Sequence, residues 1–351
     1  MTALDRTFLV LLALVPLALL ADAMGAGALT VFLLSGLSLV PLAKFLSDAT
    51  DELASRAGPA VGGLLNATFG NATELIVGLF ALSAGLVDVV KASIVGSILG
   101  NLLFVLGLAV FVGGIGRARQ TFGVTAARAS ATVLLLSATA LVIPAVFFLT
   151  GTRAPWTTEE LSLAVALLMI AVYAANLLFA LRTHTHLYYA GGEDSEEPTR
   201  SFGANLGILL VTTAVIAVMS EILVSAITPV VQGFGWTPLF VGAIFVAIVG
   251  NAAEHVSAVT AAARDKMDLA LQIAIGSATQ IVTLVMPVLV IVGAFFAQKL
   301  NLVFTTFELV ALVFAIFLTN SIIEDGETNW FEGFMLLVVY LIVAVGFFLL
   351  P

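Results

Sequence analysis

Long apolar runs without a charged residue set the first limit on this chain. Leu9 to Leu20 and Met335 to Leu350 are both unbroken by Asp, Glu, Lys or Arg. A helix needs about 20 mostly apolar residues to cross the hydrocarbon core of a bilayer. Charged residues make up only 10% of the sequence and hydrophobic ones 61%, where a soluble domain carries roughly 25% charged residues. So little charge cannot clothe a water-facing surface, whereas a lipid-facing exterior needs none. Barrel strands would show short alternating segments. The expected fold is therefore all-α, a polytopic membrane protein whose main partner is the lipid bilayer. The net charge of −9 comes with no basic cluster, so no nucleic-acid partner is expected. The absence of cysteine excludes disulfides and thiolate chemistry.

Eleven transmembrane spans are expected. The first covers about Thr7 to Leu20, within an N-terminal unit of residues 1–22; a cleavable signal peptide is the reading it displaces. The others are about Leu29 to Phe45, with an amphipathic extension to Arg56, then Val61 to Leu86, Val89 to Ile115, Val124 to Leu149, Glu159 to Leu181, Asn205 to Ile227, Leu239 to Ala262, Leu269 to Ala297, Phe304 to Ile323 and Trp330 to Leu350. A polar linker, residues 183–203, divides units 28–182 and 204–351. It carries His184, His186 and the acidic strip Glu193, Asp194, Glu196 and Glu197. With this count, Arg6, Lys44, Arg56, Arg117, Arg119, Arg128, Arg182, Arg200, Arg264 and Lys266 fall on the N-terminal side, against Lys91, Arg153 and Lys299 on the other. The bias makes the N-terminus cytoplasmic and the C-terminus opposite, in a cell (inner) membrane.

The most informative pattern is a repeat. Gly70-Asn71-Ala72-Thr73-Glu74 recurs as Gly250-Asn251-Ala252-Ala253-Glu254, and Gly96-Ser97 recurs as Gly276-Ser277. The interval from first to second motif is 26 residues in both copies, Gly70 to Gly96 and Gly250 to Gly276. Equivalent spans are five apart, an odd number of crossings, so the two five-helix repeats are inverted relative to each other. Inverted repeats characterise secondary transporters, with the binding site near the midplane between them. The first span stands outside the repeat as an extra N-terminal helix.

Glu74 and Glu254 sit in apolar surroundings. A charge at the bilayer centre costs roughly 3 kcal/mol on insertion scales, so a carboxylate there is protonated or neutralised by a cation. Protons and metal then compete for one group, and competition is the basis of exchange. Two such acids match a divalent cation such as Ca²⁺, which takes oxygen ligands. Gly70 and Gly250 favour a helix break that frees carbonyl oxygens, and Asn71 and Asn251 offer the backbone an alternative partner. Ser97, Asn101, Ser277 and Gln280 either add oxygens or hold the glutamates in place. For the two asparagines, helix–helix hydrogen bonding and ligation both stand; for the two serines, so do packing and ligation. Asp51, Glu221 and His255 are weaker candidates for an entrance or gating role, and the Glu324-Asp325-Gly326-Glu327 segment reads as a solvated turn.

At these residues the chain resembles the CAX family of Ca²⁺/H⁺ antiporters, within the calcium/cation antiporter superfamily. The resemblance runs through Gly62 to Ile76, which contains the first motif, and Val249 to His255, which contains the second. It extends to Arg119-Gln120-Thr121-Phe122 and Asn329-Trp330-Phe331-Glu332-Gly333. It implies eleven spans in two halves, and Ca²⁺ or a similar divalent cation exchanged for protons by alternating access. It also implies that Glu74 and Glu254 bind both ions, with Gly70, Gly250, Asn71, Asn251, Ser97, Ser277 and Gln280 nearby. Sodium/calcium exchangers are the nearest alternative, but their Gly-Thr-Ser-x-Pro pattern is absent here. A cation channel and an intramembrane enzyme are the alternatives from other classes; no nucleophile-and-base constellation favours an enzyme. No cofactor is expected, Ca²⁺ and H⁺ being the transported ions, and a homo-oligomer is compatible with the sequence.

Overall fold

The computed structural model describes residues 3–151, 158–184 and 200–350, apart from the side chains of residues 3–5, 58–60, 67, 125–127 and 130. Arg153, His186 and the acidic strip Glu193, Asp194, Glu196 and Glu197 lie outside the described residues. Helices dominate, as the apolar runs require: hydrocarbon offers no partner, so each backbone N–H and C=O bonds within its own segment. Helices α1 (Ala3–Leu11) and α2 (Leu14–Ala23) make the first span. They are followed by α3 (Ala28–Phe69), α4 (Ala72–Ser83) and α5 (Val87–Leu99), which passes through a π-helical turn at Gly100–Val105 into α6 (Leu106–Gly114). Next come α7 (Val124–Leu149), α8 (Thr158–Leu178) and α9 (Phe202–Phe234). A short α10 (Pro238–Phe240) leads through a π-turn at Val241–Val246 to α11 (Ala247–Gly250) and α12 (Ala252–Ala263). The chain ends with α13 (Met267–Gln280), a π-turn at Ile281–Val285, α14 (Met286–Gly293), α15 (Thr306–Ile323) and α16 (Trp330–Leu349). The last two each open on a capping box, Thr305 with Glu308 and Asn329 with Glu332, which satisfies backbone donors of the first turn.

Among the described residues nine helices are long and apolar enough to cross a membrane. Pro238–Gly250 and Ala252–Ala263, bent by 60°, make a tenth if taken as one broken span. The expected crossing at 61–86 is delivered as the tail of α3 and the 12-residue α4. The second candidate span, Ala28–Ala57, runs past Phe45 and takes in the amphipathic extension to Arg56, and helical backbone continues from it to Phe69. That helix is not straight. A Cβ on Gly62 would strike the carbonyl of Ala54, whereas residues eight apart in a straight helix are separated by about 12 Å. The backbone turns back near Gly58-Pro59, where proline has no N–H to give to the helical ladder. The reversal brings Asp51 on the first arm within hydrogen-bond reach of Asn66 on the second.

Burial separates central helices from peripheral ones. Within the Val87–Gly114 span 83% of the apolar window is buried, against 17% in Thr158–Thr183 and 11% in Arg6–Ala23. Large apolar residues such as Phe314, Phe317, Leu341 and Ile342 face outward, on the surface that lipid covers. At one end of the bundle the α6–α7 loop meets the α12–α13 and α15–α16 loops. Arg117 pairs with Asp265 at 3.4 Å, Arg119 with Glu327 at 2.7 Å, and Gly123 N–H donates to Asp268 at 2.7 Å. Within the all-α fold one short extended pairing stands there: β1 (Gln120–Thr121) pairs antiparallel with β2 (Glu327–Thr328). The segment read as a solvated turn is thus partly a strand. Elsewhere Lys91 reaches Asn301 and the Val303 carbonyl, and Lys299 pairs with Glu159 at 2.8 Å. Glu52 accepts from Arg200 N–H and the Asn205 amide, joining the α3 bend to the start of α9.

Small residues set the closest helix crossings. A Cβ on Gly96 would collide with the backbone of Ala243, and one on Gly242 with the Val89 carbonyl, so α5 and the Val241–Val246 turn meet backbone to backbone. Such contacts are how membrane helices associate without a hydrophobic drive. The repeat-equivalent Gly276 has open space where its Cβ would stand. Gly96→Ala is therefore expected to destabilise the fold by about 1–3 kcal/mol, the usual cost of overpacking. Gly276→Ala should be neutral or mildly stabilising, since alanine favours helix. Thermal unfolding in detergent, followed for both variants beside the parent, checks the contrast.

Candidate functional site at the helix breaks

Helices α4 and α12 start at equivalent points, Ala72 and Ala252, and each runs for 12 residues. Before them Asn71 (φ −103°, ψ 22°) and Asn251 (φ −93°, ψ 13°) step out of helical geometry. The next turn restarts with Leu75 N–H to Asn71 C=O at 3.1 Å and His255 N–H to Asn251 C=O at 3.0 Å. Carbonyls at the end of the preceding turn, those of Gly70 and Gly250, lose regular intrahelical donors. Glu74 and Glu254 fall in the first turn of the new helices, where the helix dipole favours a carboxylate.

The two breaks face each other. A Cβ on Gly250 would lie 3.1 Å from Glu74 Cγ and 3.6 Å from its Oε1, so the bare glycine is what lets the Glu74 side chain rest there. Glu74 is within electrostatic range of Glu254, and Glu254 of Asp51. Both carboxylate oxygens of Glu74, Oε2 of Glu254 and Oδ1 of Asn101 are shut off from solvent and have no hydrogen-bond donor. A cavity beside Glu74 is lined by Ser93, Ser97, Gly250, Ile281 and Leu289.

The neighbouring polar groups form one network across both breaks. Asn101 Nδ2 donates to Asn251 Oδ1 at 2.9 Å and to Ser277 Oγ at 3.0 Å. Asn251 Nδ2 donates to Ser97 Oγ at 2.8 Å and to the Ala247 carbonyl at 2.8 Å. Ser277 lies 3.4 Å from Asn71 Oδ1 and 3.5 Å from Asn251 Oδ1, and its single hydroxyl proton serves one of them at a time. Asn71 Nδ2 donates to Gln280 Oε1. Each motif asparagine is thus held by an amide that follows the other motif's serine: Asn251 by Asn101, and Asn71 by Gln280. The centre is rich in acceptors and short of donors. Buried acceptors in that state call for protons or a cation.

Among the described residues no group of three or more His, Cys, Asp or Glu is placed to hold a metal. A cation between these breaks would rest on two carboxylates, with carbonyl, amide and hydroxyl oxygens completing its shell, the donors of a hard ion. The structure brings together Glu74, Glu254, Gly250, Asn71, Asn251, Ser97, Asn101, Ser277 and Gln280, with a Cβ on Gly70 standing 4.0 Å from Gln280 Oε1. The weaker candidates separate. Asp51 and Glu221 are both exposed, but Asp51 lies within electrostatic range of Glu254, whereas Glu221 stands on the outer side of α9. The His255 ring meets Phe104 edge-on at 5.8 Å, with Nε2 buried and unpartnered. His184, exposed, stacks on Phe179 across the π-helical turn Phe179–Thr183 that follows α8. Ser93 was not singled out from sequence; its spacing of one helical turn from Ser97 was the available signal.

Broken helices facing each other around buried acids, inside an apolar helical bundle, define a polytopic membrane protein with a buried acidic centre. The chain belongs to the sodium/calcium exchanger protein family, whose profile matches residues 27–182 and 204–349. It is 47% identical over 369 residues to a Ca²⁺/H⁺ antiporter of Synechocystis sp., covering 100% of this chain and 99% of that one. To the Ca²⁺/H⁺ antiporter ChaA of Bacillus subtilis it is 46% identical over 352 residues, covering 99% and 100%. The structure of native YfkE superposes with a TM-score of 0.85 at 42% identity, over 98% of this chain and 100% of that one. The H⁺/Ca²⁺ exchanger CAX shares the fold, with a TM-score of 0.76 at 17% identity over 99% of this chain and 92% of that one.

Asn101 tests how far the network holds the breaks together. Asn101→Leu removes the donor shared by Asn251 and Ser277 and leaves buried acceptors unpaired, a loss of about 1–3 kcal/mol. The expected result is a lower midpoint of unfolding in detergent, with Ser93→Ala as a control that breaks no bond between the two breaks.

Proposed function

We propose that this protein is a secondary active transporter that exchanges Ca²⁺, or a similar divalent cation, for protons by alternating access. The observation that carries the reading is the pair of donor-starved carboxylates at the two helix breaks. In a dry interior these groups hold either two protons or one divalent cation, because either neutralises them, and both at once would leave an uncompensated positive charge. Competition for one site couples the two fluxes. A tenfold proton gradient supplies about 1.4 kcal/mol per proton exchanged. The relatives named as Ca²⁺/H⁺ antiporters, matched over the full chain, support both the cation and its counter-ion.

Residues 28–182 and 204–351 act as the two halves in this reading, with the segment 183–203 linking them and the helix of residues 1–22 outside the repeat. Glu74 and Glu254 bind the cation and the protons. The Gly70 and Gly250 carbonyls and the side chains of Asn71, Asn251, Ser97, Asn101, Ser277 and Gln280 complete or support the site. Asp51 marks the approach to Glu254. The excess of Lys and Arg on one set of loops supports a cytoplasmic N-terminus, and with it extrusion of Ca²⁺ from the cytoplasm.

Two outcomes are expected. Glu74→Gln and Glu254→Gln, each reconstituted in proteoliposomes, should lose radioactive Ca²⁺ uptake driven by an imposed pH gradient while keeping the parent's size-exclusion profile. Full transport in both variants would overturn the assignment, and uptake driven by a sodium gradient alone would favour sodium coupling. The second outcome concerns pH at equilibrium. Metal binding here displaces protons, so each unit by which pH is lowered should raise the apparent Kd for Ca²⁺ by up to about tenfold per proton displaced. Calcium titrations by isothermal calorimetry at several pH values read this directly.

A further inference from the structure

The two halves differ on the flank of the cavity beside Glu74. Helix α5 begins at Val87, directly after the turn that ends α4, and carries Ser93 and Ser97 one helical turn apart. A four-residue spacing places both on one face of the helix, and both line the cavity with Glu74. Ser97 lies at the network. Ser93 lies about 6 Å nearer the α4–α5 turn at the helical rise, and so on the way from Glu74 to that membrane face. Alignment of Gly96-Ser97 with Gly276-Ser277 puts Ile273 at the equivalent position. The hydroxyl is therefore a feature of one half only.

Its hydrogen bonding suits a cation. Ser93 Oγ donates its proton to the Val90 carbonyl at 2.9 Å. The oxygen keeps its lone pairs and offers the cavity acceptors only. The other cavity walls near it are apolar, Val77, Ile94, Val246 and Leu289 among them, and Ser97, one turn deeper, is the other hydroxyl on that flank. An ion approaching Glu74 from the α4–α5 turn meets this hydroxyl before that of Ser97, and one leaving meets it after.

We propose that Ser93 is a further cation-contact residue, giving the transported ion an oxygen ligand on the route between Glu74 and the membrane face at the α4–α5 turn. The inference rests on the exchange reading above and extends the site beyond its repeated motifs. It makes the two access routes chemically unequal, with an oxygen on the Glu74 side where the other half has a hydrocarbon side chain.

The chain contains no cysteine, so Ser93→Cys introduces a single thiol. In proteoliposomes, Ca²⁺ is expected to slow the reaction of this thiol with a small methanethiosulfonate, while Ile273→Cys reacts at a rate indifferent to Ca²⁺. In transport, Ser93→Ala should raise the KM for Ca²⁺ by about three- to tenfold, the worth of one neutral oxygen contact, and Ser93→Thr should restore it. A thiol at position 93 that fails to react, or reacts equally with and without Ca²⁺, overturns the proposal, as does an unchanged KM in Ser93→Ala. Wild-type protein run alongside separates the two claims. Absence of pH-driven exchange in the wild type would defeat the exchange reading, while Ca²⁺ protection of the thiol would still report on Ser93.

Discussion

Two buried carboxylates, with three of their four oxygens shut off from solvent and short of hydrogen-bond donors, impose the main condition on the rest of the molecule. A membrane helix tolerates such groups only where protein, water or an ion compensates them. The fold answers with three devices. The helices that carry the acids are broken just before them, so helix N-termini face the negative charge and free carbonyls stand on the other side of the break. Every nearby amide side chain bonds to another amide or a hydroxyl, which leaves the carboxylates themselves uncommitted. Glycines at 96, 242 and 250 remove the side chains that would otherwise keep the two breaks apart.

The match between the halves is close at the backbone and looser at the side chains. Helices α4 and α12 agree in starting position and length, and a π-turn comes after each Gly-Ser motif, at Gly100–Val105 and at Ile281–Val285. A π-turn inserts one residue and re-aims the side chains beyond it, which is why such turns gather at functional sites. The polar residue that reaches the opposite break is Asn101, four residues after Ser97, in one half and Gln280, three residues after Ser277, in the other. Asparagine is one methylene shorter and comes one residue later. The two amides arrive at corresponding asparagines by different combinations of register and reach.

This explains which features were legible in the sequence and which were not. Gly70-Asn71 and Gly250-Asn251 could be read as breaks because glycine and asparagine both weaken a helix and here recur at one spacing. The acids could be read as buried because their neighbours are apolar. The pairing of Asn101 with Asn251 could not, since the π-turn changes the register by an amount that no local pattern records. The run of Asp48, Asp51, Glu52 and Arg56 was legible as an amphipathic helical extension, and it does continue α3. Its partners were not legible, since Glu52 accepts from Arg200 and Asn205, far away in sequence. The β1–β2 pair was equally hidden: two residues per strand carry no alternation, and the pairing depends on two loops brought together by four separate helices.

The cross-bonding of the breaks bears directly on coupling. Were Asn71 and Asn251 held by residues of their own helices, each break would respond to its ligand independently, and one acid could change occupancy without consequence for the other. Here Gln280 holds Asn71, Asn101 holds Asn251, and Ser277 stands between both asparagines with one proton to give. Ser277 therefore shares one proton between the asparagines of both breaks, which ties the bonding of one break to that of the other. In the exchange reading, partial occupancy leaves one buried carboxylate uncompensated and the shared network unevenly bonded, while full occupancy by two protons or by one divalent cation satisfies both. The strict alternation that an exchanger requires then arises from the energetics of the buried pair: only the fully loaded states are electrically complete, and only those can afford to close.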